Sequence, residues 1–230
     1  MKISKICSSF LQLFYPKLCA ACGRPIGDGE THICRHCISQ LSHTWLHEEK
    51  DNLMEQRFYG RADIAFATAY LFFEKGNITQ ALLHRIKYDG FSNMGVDMGK
   101  AFGQELKNGR WEDIDFLIPV PLHPKKLQKR GYNQSECIAK GIGETLGKKV
   151  ITDVLIRTQN NTSQTKKNAE ERRMAVADIF ATQNLHKVEG KHIAIVDDVV
   201  TTGSTIEACI KAFGRANIKI SVLALACVEN

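Results

Sequence analysis

Three stretches of this 230-residue chain carry side chains whose types and spacing can do chemistry. The first is Asp197-Asp198, preceded by the apolar run Ile193-Ala194-Ile195-Val196 and followed by the small, hydroxyl-rich turn Thr201-Thr202-Gly203-Ser204-Thr205. Successive apolar residues bounded by charge predict a strand buried on both faces, as in the middle of a parallel sheet. Ile206, Cys209, Ile210 and Phe213 then recur at helical spacing, so the turn sits at a helix N-terminus. There the first N–H groups have no partner within the helix and the dipole is positive, which suits Thr201 to Thr205 to an anionic group such as phosphate. Gly203 lets the backbone approach closely. The two carboxylates stand at the carboxyl end of the strand, where open α/β sheets bind ligands. Successive strand residues point to opposite faces, so the pair suits hydrogen bonds from vicinal sugar hydroxyls better than chelation of one ion. Diol acceptors beside a phosphate cradle describe a site for a ribose 5-phosphate.

The second stretch is a pair of knuckles, Cys19-x-x-Cys22 and Cys34-x-x-Cys37, with Gly23, Pro25, Gly27, Asp28 and Gly29 supplying turn chemistry between them. Four thiolates so arranged suit tetrahedral Zn2+, and a complete thiolate shell makes the ion structural, with no open position for a substrate. The loop is slightly shorter than the usual zinc-ribbon spacing. The competing reading is a set of reduced thiols, and His32 and His36 are nearby substitute ligands. Cys7, Cys137, Cys209 and Cys227 fall on apolar faces and read as small core residues.

A third stretch, Leu122 to Gln134, packs Lys125, Lys126, Lys129 and Arg130 into a loop after one predicted strand and before an apolar-periodic helix. It can neutralise a pyrophosphate; read alone, it is equally a solvated basic loop or a nucleic-acid backbone contact.

The elements that must position these groups alternate. Strands are predicted over Ala65 to Phe73, Phe116 to Val120, Val150 to Leu155 and Ile218 to Ala226, besides the one ending in Asp197-Asp198. Helices carry Ile78, Ala81, Leu82 and Ile86; Met94, Met98, Phe102 and Leu106; and Ile138, Ile142 and Leu146. This order implies a parallel sheet with crossover helices. His43 to Arg61 reads as a polar connector, Arg157 to Arg173 as a lid, and Ile3 to Phe14 as an amphipathic helix packed on the body. Gly141, Gly143 and Gly147 miss the dinucleotide-binding spacing and lie within a predicted helix as packing positions or defects, and no G-x-x-x-x-G-K-[ST] occurs. A net charge of +6 favours phosphorylated ligands or a nucleic-acid surface without choosing between them. No apolar run is long enough to span a membrane and no signal-peptide cleavage pattern follows the N-terminal segment, so a cytoplasmic protein is expected.

Val196-Asp197-Asp198-Val199-Val200-Thr201-Thr202-Gly203-Ser204-Thr205 closely resembles the phosphoribosyl pyrophosphate (PRPP) signature of type I phosphoribosyltransferases. The whole order resembles the ComF competence-protein family: the four-cysteine knuckle, Ile86-Lys87-Tyr88-Asp89-Gly90, Pro119-Val120-Pro121, Arg130-Gly131-Tyr132-Asn133-Gln134, and then that signature. Arg157-Thr158, Ser163-Gln164-Thr165 and Glu171-Arg172-Arg173 continue it, with departures at Lys167 and Ala175. The resemblance implies a type I phosphoribosyltransferase fold, a parallel sheet flanked by helices, with a zinc-binding module and connector over 1–60 and the phosphoribosyltransferase-like domain over 61–230. It makes Asp197 and Asp198 the expected ribose-hydroxyl ligands, Thr201, Thr202, Gly203, Ser204 and Thr205 the 5-phosphate cradle, and Arg130 with Lys129 the pyrophosphate contacts. Mg2+ would enter with PRPP. The expected role is PRPP binding and phosphoribosyl transfer to an acceptor not named by the sequence, in the setting of DNA uptake. The alternative is a PRPP- or nucleotide-sensing scaffold that binds single-stranded DNA or a protein of the uptake machinery.

Overall fold

The computed structural model of the chain describes residues 16–27, 29–88, 90–158 and 179–229. The predicted helix of Ile3 to Phe14, Asp28, Asp89, nearly all of the predicted lid, and the departures Lys167 and Ala175 lie outside the described residues.

The two longest apolar runs, His192–Val200 (β6) and Lys219–Cys227 (β7), pair in parallel at the middle of a five-stranded sheet. Ala67–Phe72 (β1) joins the β7 edge, and Phe116–Pro119 (β2) followed by Lys149–Val150 (β3) joins the β6 edge, giving the order β1-β7-β6-β2-β3 with every pairing parallel. On β6, Ala194 and Val196 belong to one apolar cluster and Ile193 and Ile195 to the other, so the strand is buried on both faces as its composition requires. The first face carries helices Ile78–Tyr88 (α3), Ser92–Glu105 (α4) and Gln134–Leu146 (α6) through Ile86, Met94, Phe102 and Ile138. The second carries Ser204–Phe213 (α7) through Ile206 and Cys209. Burying each such aliphatic side chain stabilises by roughly 1.5–3 kcal/mol.

α4 and α6 cross with their backbones in contact. A Cβ on Gly141 would lie 2.0 Å from the Val96 carbonyl oxygen, and one on Gly99 2.2 Å from that of Ile138. This is why a helix tolerates glycines that each cost it about 1 kcal/mol against alanine. Gly147 instead closes α6 in the left-handed conformation.

Two expectations are corrected. Val150 to Leu155 is not one strand: only Lys149–Val150 pairs with β2, and the chain turns at Asp153, whose carboxylate is held by Lys187 and Asn184. Leu155–Arg157 (β4) then pairs antiparallel with Phe180–Thr182 (β5) in a separate two-stranded sheet, so Arg157 sits in a strand and not in a lid. Nor is 43 to 61 only a polar connector. Asn52 caps the short helix Leu53–Gln56 (α2) by accepting from Met54 and Glu55 N–H, and Met54 and Phe58 are fully buried in the second cluster.

The four-cysteine segment, with the turn Arg35–Ile38 (α1), packs against α3 and α4: Cys19, Ile33 and Cys37 share the first cluster, and Arg85 Nε donates to the Ala20 carbonyl at 3.3 Å. Among the described residues no helix is long and apolar enough to cross a membrane.

Candidate functional site

The chain leaves β2 toward the β3 edge and leaves β6 toward β7, so the direction of winding reverses between two adjacent strands. That reversal opens a crevice outside their carboxyl ends, the usual ligand position in such sheets. Pro119 lies beside Val196, and Val120 N–H donates to the Val196 carbonyl at 2.9 Å. Two motifs more than sixty residues apart in sequence therefore meet at one place.

β6 runs on through the acidic pair to Val200, so the carboxylates sit within the strand and are nearly out of solvent, 7% exposed for Asp197 and 5% for Asp198. They go to different partners. Asp197 Oδ1 accepts from Ser135 Oγ at 3.1 Å and from Asp198 N–H at 2.9 Å, while Asp198 Oδ2 pairs with Lys87 Nζ at 2.8 Å. Burial first, and then repulsion from Asp198, push the Asp197 carboxyl up from 3.8 to about 7.

Beyond Val200 the chain makes the predicted turn. Gly203, at φ 80°, is the N-cap of α7, and Thr201, Thr202, Ser204 and Thr205 are exposed around it, with Thr202 Oγ1 and Ser204 Oγ 2.9 Å apart. The far side of this turn is held by residues the sequence reading did not single out. The Arg57 guanidinium donates to the Thr201 carbonyl, Arg61 donates to that of Thr202 at 2.7 Å, and the Phe58 ring lies on Gly203.

The basic stretch is a helix and not a loop. Pro124–Arg130 (α5) begins with Pro at its first position, His123 Nδ1 accepts from Lys125 N–H at 3.2 Å as its cap, and Gly131 ends it in the left-handed conformation. None of its residues is buried. Its cations do not lie on the acidic pair itself; Lys126, Lys129 and Arg130 face Lys87, Tyr88 and Tyr132 across a cavity of about 300 Å³. Arg130 stacks over the Tyr88 ring at 5.0 Å, and its Nη1 donates to Gln134 Oε1 at 2.5 Å. Tyr132 Oη donates to the Ile86 carbonyl, and Asn133 both caps α6 and donates to the Val120 carbonyl at 3.0 Å. The segment from Arg130 to Ser135 thus ties α3, the end of β2 and Asp197 together. Lys87 is the shared member, reaching Asp198 while lining the cationic cavity. Phe91, an aromatic beside this region in sequence, packs edge-on to His32 instead.

The sulfurs of Cys19, Cys22, Cys34 and Cys37 all lie within 4.8 Å of one another, and those of Cys22 and Cys34 are 3.8 Å apart. Tetrahedral Zn2+ with Zn–S of about 2.3 Å places its sulfurs about 3.8 Å apart, so the four residues fit such an ion. Cys34 N–H donates to Cys19 Sγ and Arg24 Nε to Cys22 Sγ, both at 3.3 Å, which favours thiolates. His32 turns away to Asp97, at 3.5 Å. Cys137, Cys209 and Cys227 are buried, and burial raises the pKa of each thiol, as inert core residues require.

Residues 131–229, which carry Ser135, the acidic pair and the 201–205 turn, match the phosphoribosyl transferase domain. Over nearly its whole length the chain is similar to the Competence protein ComFC of Bacillus subtilis, 26% identical over 94% of this chain and 80% of that one. It is likewise similar to the DNA utilization protein YhgH of Escherichia coli O157:H7, 26% identical over 87% of this chain and 86% of that one. Competence protein F of Haemophilus influenzae is 29% identical over 45% of each chain. In its sheet domain, its four-cysteine module and its order of motifs the chain is similar to these ComF-type competence proteins. A solved adenine phosphoribosyltransferase overlays 66% of this chain and 71% of its own at 17% identity and a TM-score of 0.33.

Proposed function

We propose that the crevice between β2 and β6 binds PRPP and that the chain transfers its phosphoribosyl group to an acceptor, in the service of DNA uptake or use. The observation that carries this is Lys87, which joins the buried carboxylate of Asp198 to a cationic cavity lined by Lys126, Lys129 and Arg130. Three chemically distinct subsites in a row fit the three parts of PRPP. Thr201 to Thr205 would take the 5-phosphate, Asp197 and Asp198 the ribose hydroxyls, and Lys129 and Arg130 with Lys87 the pyrophosphate. The setting in DNA uptake is carried by the names of the relatives, competence and DNA utilization proteins.

Because the two carboxylates engage different partners, the pair does not form a cage for a cation, and Mg2+ is expected to arrive on pyrophosphate oxygens with most of its waters. When bound it would add charge neutralisation to the leaving group. In the transfer the bond from the anomeric carbon to pyrophosphate oxygen breaks, a bond to an acceptor nitrogen forms, and that nitrogen gives up a proton. The protein's share is to hold the leaving pyrophosphate with cations and to fix the ribose, since an oxocarbenium-like state needs orientation and electrostatics and no nucleophilic side chain. Asp197, raised by burial and by Asp198 to about 7, can meet a ribose hydroxyl as hydrogen-bond acceptor when ionised and as donor when protonated. In the N-terminal segment, Cys19, Cys22, Cys34 and Cys37 would hold a structural Zn2+.

A second reading has its own observation. α5 carries Lys125, Lys126, Lys129 and Arg130 with no residue buried, and Tyr88 beside it is 59% exposed, the pairing of cations and an open ring that single-stranded nucleic acid uses. Here the fold would sense PRPP or a nucleotide while α5 holds DNA. Calorimetric titration of PRPP with and without Mg2+, and of single-stranded DNA over a range of salt, separates the two. The transferase reading expects Mg2+-dependent PRPP binding that disappears in folded Asp197→Asn/Asp198→Asn, followed by pyrophosphate release with a suitable base. Absent PRPP binding, or PRPP binding without pyrophosphate release for any base, together with DNA binding that weakens steeply with salt would sink it in favour of the scaffold.

A further inference from the structure

Two arginines from outside the matched domain grip the phosphate-binding turn from behind. Arg57, at the end of α2, donates one guanidinium nitrogen to the Thr201 carbonyl and the other to that of Val228, just past β7. Arg61 Nη1 donates to the Thr202 carbonyl at 2.7 Å and to the Arg57 carbonyl at 3.1 Å. Its Nε and Nη2 meet Glu207 Oε2, in the first turn of α7, at 3.1 and 2.6 Å. Between the two, Phe58, which is fully buried, packs so closely that a Cβ on Gly203 would stand 3.0 Å from its ring.

A planar trans peptide holds its C=O and N–H in opposite directions. Drawing the Thr201 and Thr202 carbonyls toward the arginines therefore turns the N–H groups of Thr202 and Gly203 away from them, out of the turn's braced side. Donors fixed in advance cost little to organise when an anion arrives. Arg61 also shares with Lys211 the neutralisation of Glu207, a carboxylate at the start of α7.

We propose that Arg57, Phe58 and Arg61 are positioning residues that preset the peptide planes of the 201–203 turn for a ribose 5-phosphate dianion. The segment between the cysteine module and the sheet thereby becomes part of the ligand site. The inference rests on the PRPP reading of that turn and deepens it. The plain competitor is a brace that only stabilises the fold, and it predicts a different outcome.

The test uses the full chain and two probes that engage different ends of the crevice, ribose 5-phosphate and Mg2+-pyrophosphate, titrated into the unaltered protein and into Arg57→Gln/Arg61→Gln. Loss of the preset planes weakens ribose 5-phosphate by about tenfold or more, the size of one or two hydrogen bonds, and leaves pyrophosphate unchanged. Arg61→Lys, which restores the charge and one donor, recovers part of the affinity. Equal ribose 5-phosphate affinity in a folded variant, or an equal loss for both probes, overturns the proposal in favour of a brace. Should the double variant fail to fold, Arg61→Gln alone carries the same comparison, because that side chain is 37% exposed. If the unaltered chain binds pyrophosphate but no ribose 5-phosphate, the reading of the turn itself fails, and this inference with it.

Discussion

Asp197→Asn should make the ligand-free protein more stable at pH 8, though it removes a residue at the centre of the proposed site. Burial and the neighbouring Asp198 raise the Asp197 carboxyl from 3.8 to about 7. Between about pH 4 and pH 7 the folded chain then holds a proton that the unfolded chain has released, so stability falls as pH rises through that window. Above it the full cost of a buried, repelled carboxylate is present. Three pH units at about 1.4 kcal/mol each set an upper bound of about 4 kcal/mol. Asparagine keeps an Oδ1 to accept from Ser135 Oγ and Asp198 N–H, but its new amide N–H groups need partners, which returns about 1–2 kcal/mol. The expected net gain is about 2–3 kcal/mol at pH 8, shrinking to nothing or reversing near pH 4. Urea unfolding of both proteins at the two pH values reads it directly. A variant less stable than the parent at pH 8 would mean that Lys87 and Ser135 over-compensate the charge, and the account of Asp197 as a strained functional acid would be wrong. The cost itself fits a site selected for ligand contacts over stability.

Three further outcomes follow from the packing. Lys87→Met leaves Asp198 buried without its cation, so chemical denaturation should register a loss of about 1–3 kcal/mol at neutral pH, with PRPP affinity reduced as well. Gly141→Ala forces a methyl to within 2.0 Å of the Val96 carbonyl oxygen, and its melting curve should shift down by the equivalent of about 1–3 kcal/mol, whereas the same change at the open position Gly76 loosens no helix crossing. Purified protein should hold one zinc per chain by elemental analysis. Chelation should lower the melting temperature and raise amide exchange first in α3, which shares a core with Cys19 and Cys37; exchange confined to the cysteine segment would separate it from the sheet.

The parts that sequence pattern made legible are those where one local rule acts alone. The run ending in Asp197-Asp198 is apolar on both faces and leads into an apolar helical stripe, so strand, turn and helix were all readable. The paired cysteines need only spacing. What escaped was built by combination. α5 carries no apolar stripe and so resembles a loop in sequence; only its terminal signals, Pro124 and Gly131, mark it as helical. Residues 53 to 61 looked like a connector because Met54 and Phe58 are isolated among polar neighbours, and the carbonyls that Arg57 and Arg61 bind lie some 140 residues away. Ser135 and Lys87 are ordinary residues whose partners, Asp197 and Asp198, are chosen by the strand order and by nothing nearby in the chain. Asn52 was the available signal for α2, a capping residue ahead of Leu53-Met54.

The most direct test of the proposed PRPP site is phosphorus NMR of PRPP titrated with the protein and Mg2+, because each phosphate would report its own subsite. The 5-phosphate resonance and both pyrophosphate resonances are expected to move on binding. Gly203→Val, which strains a positive φ and meets Phe58, should abolish the first movement, and Lys129→Gln/Arg130→Gln the others. Phosphate resonances that stay in place with the folded, unaltered chain would contradict the PRPP reading.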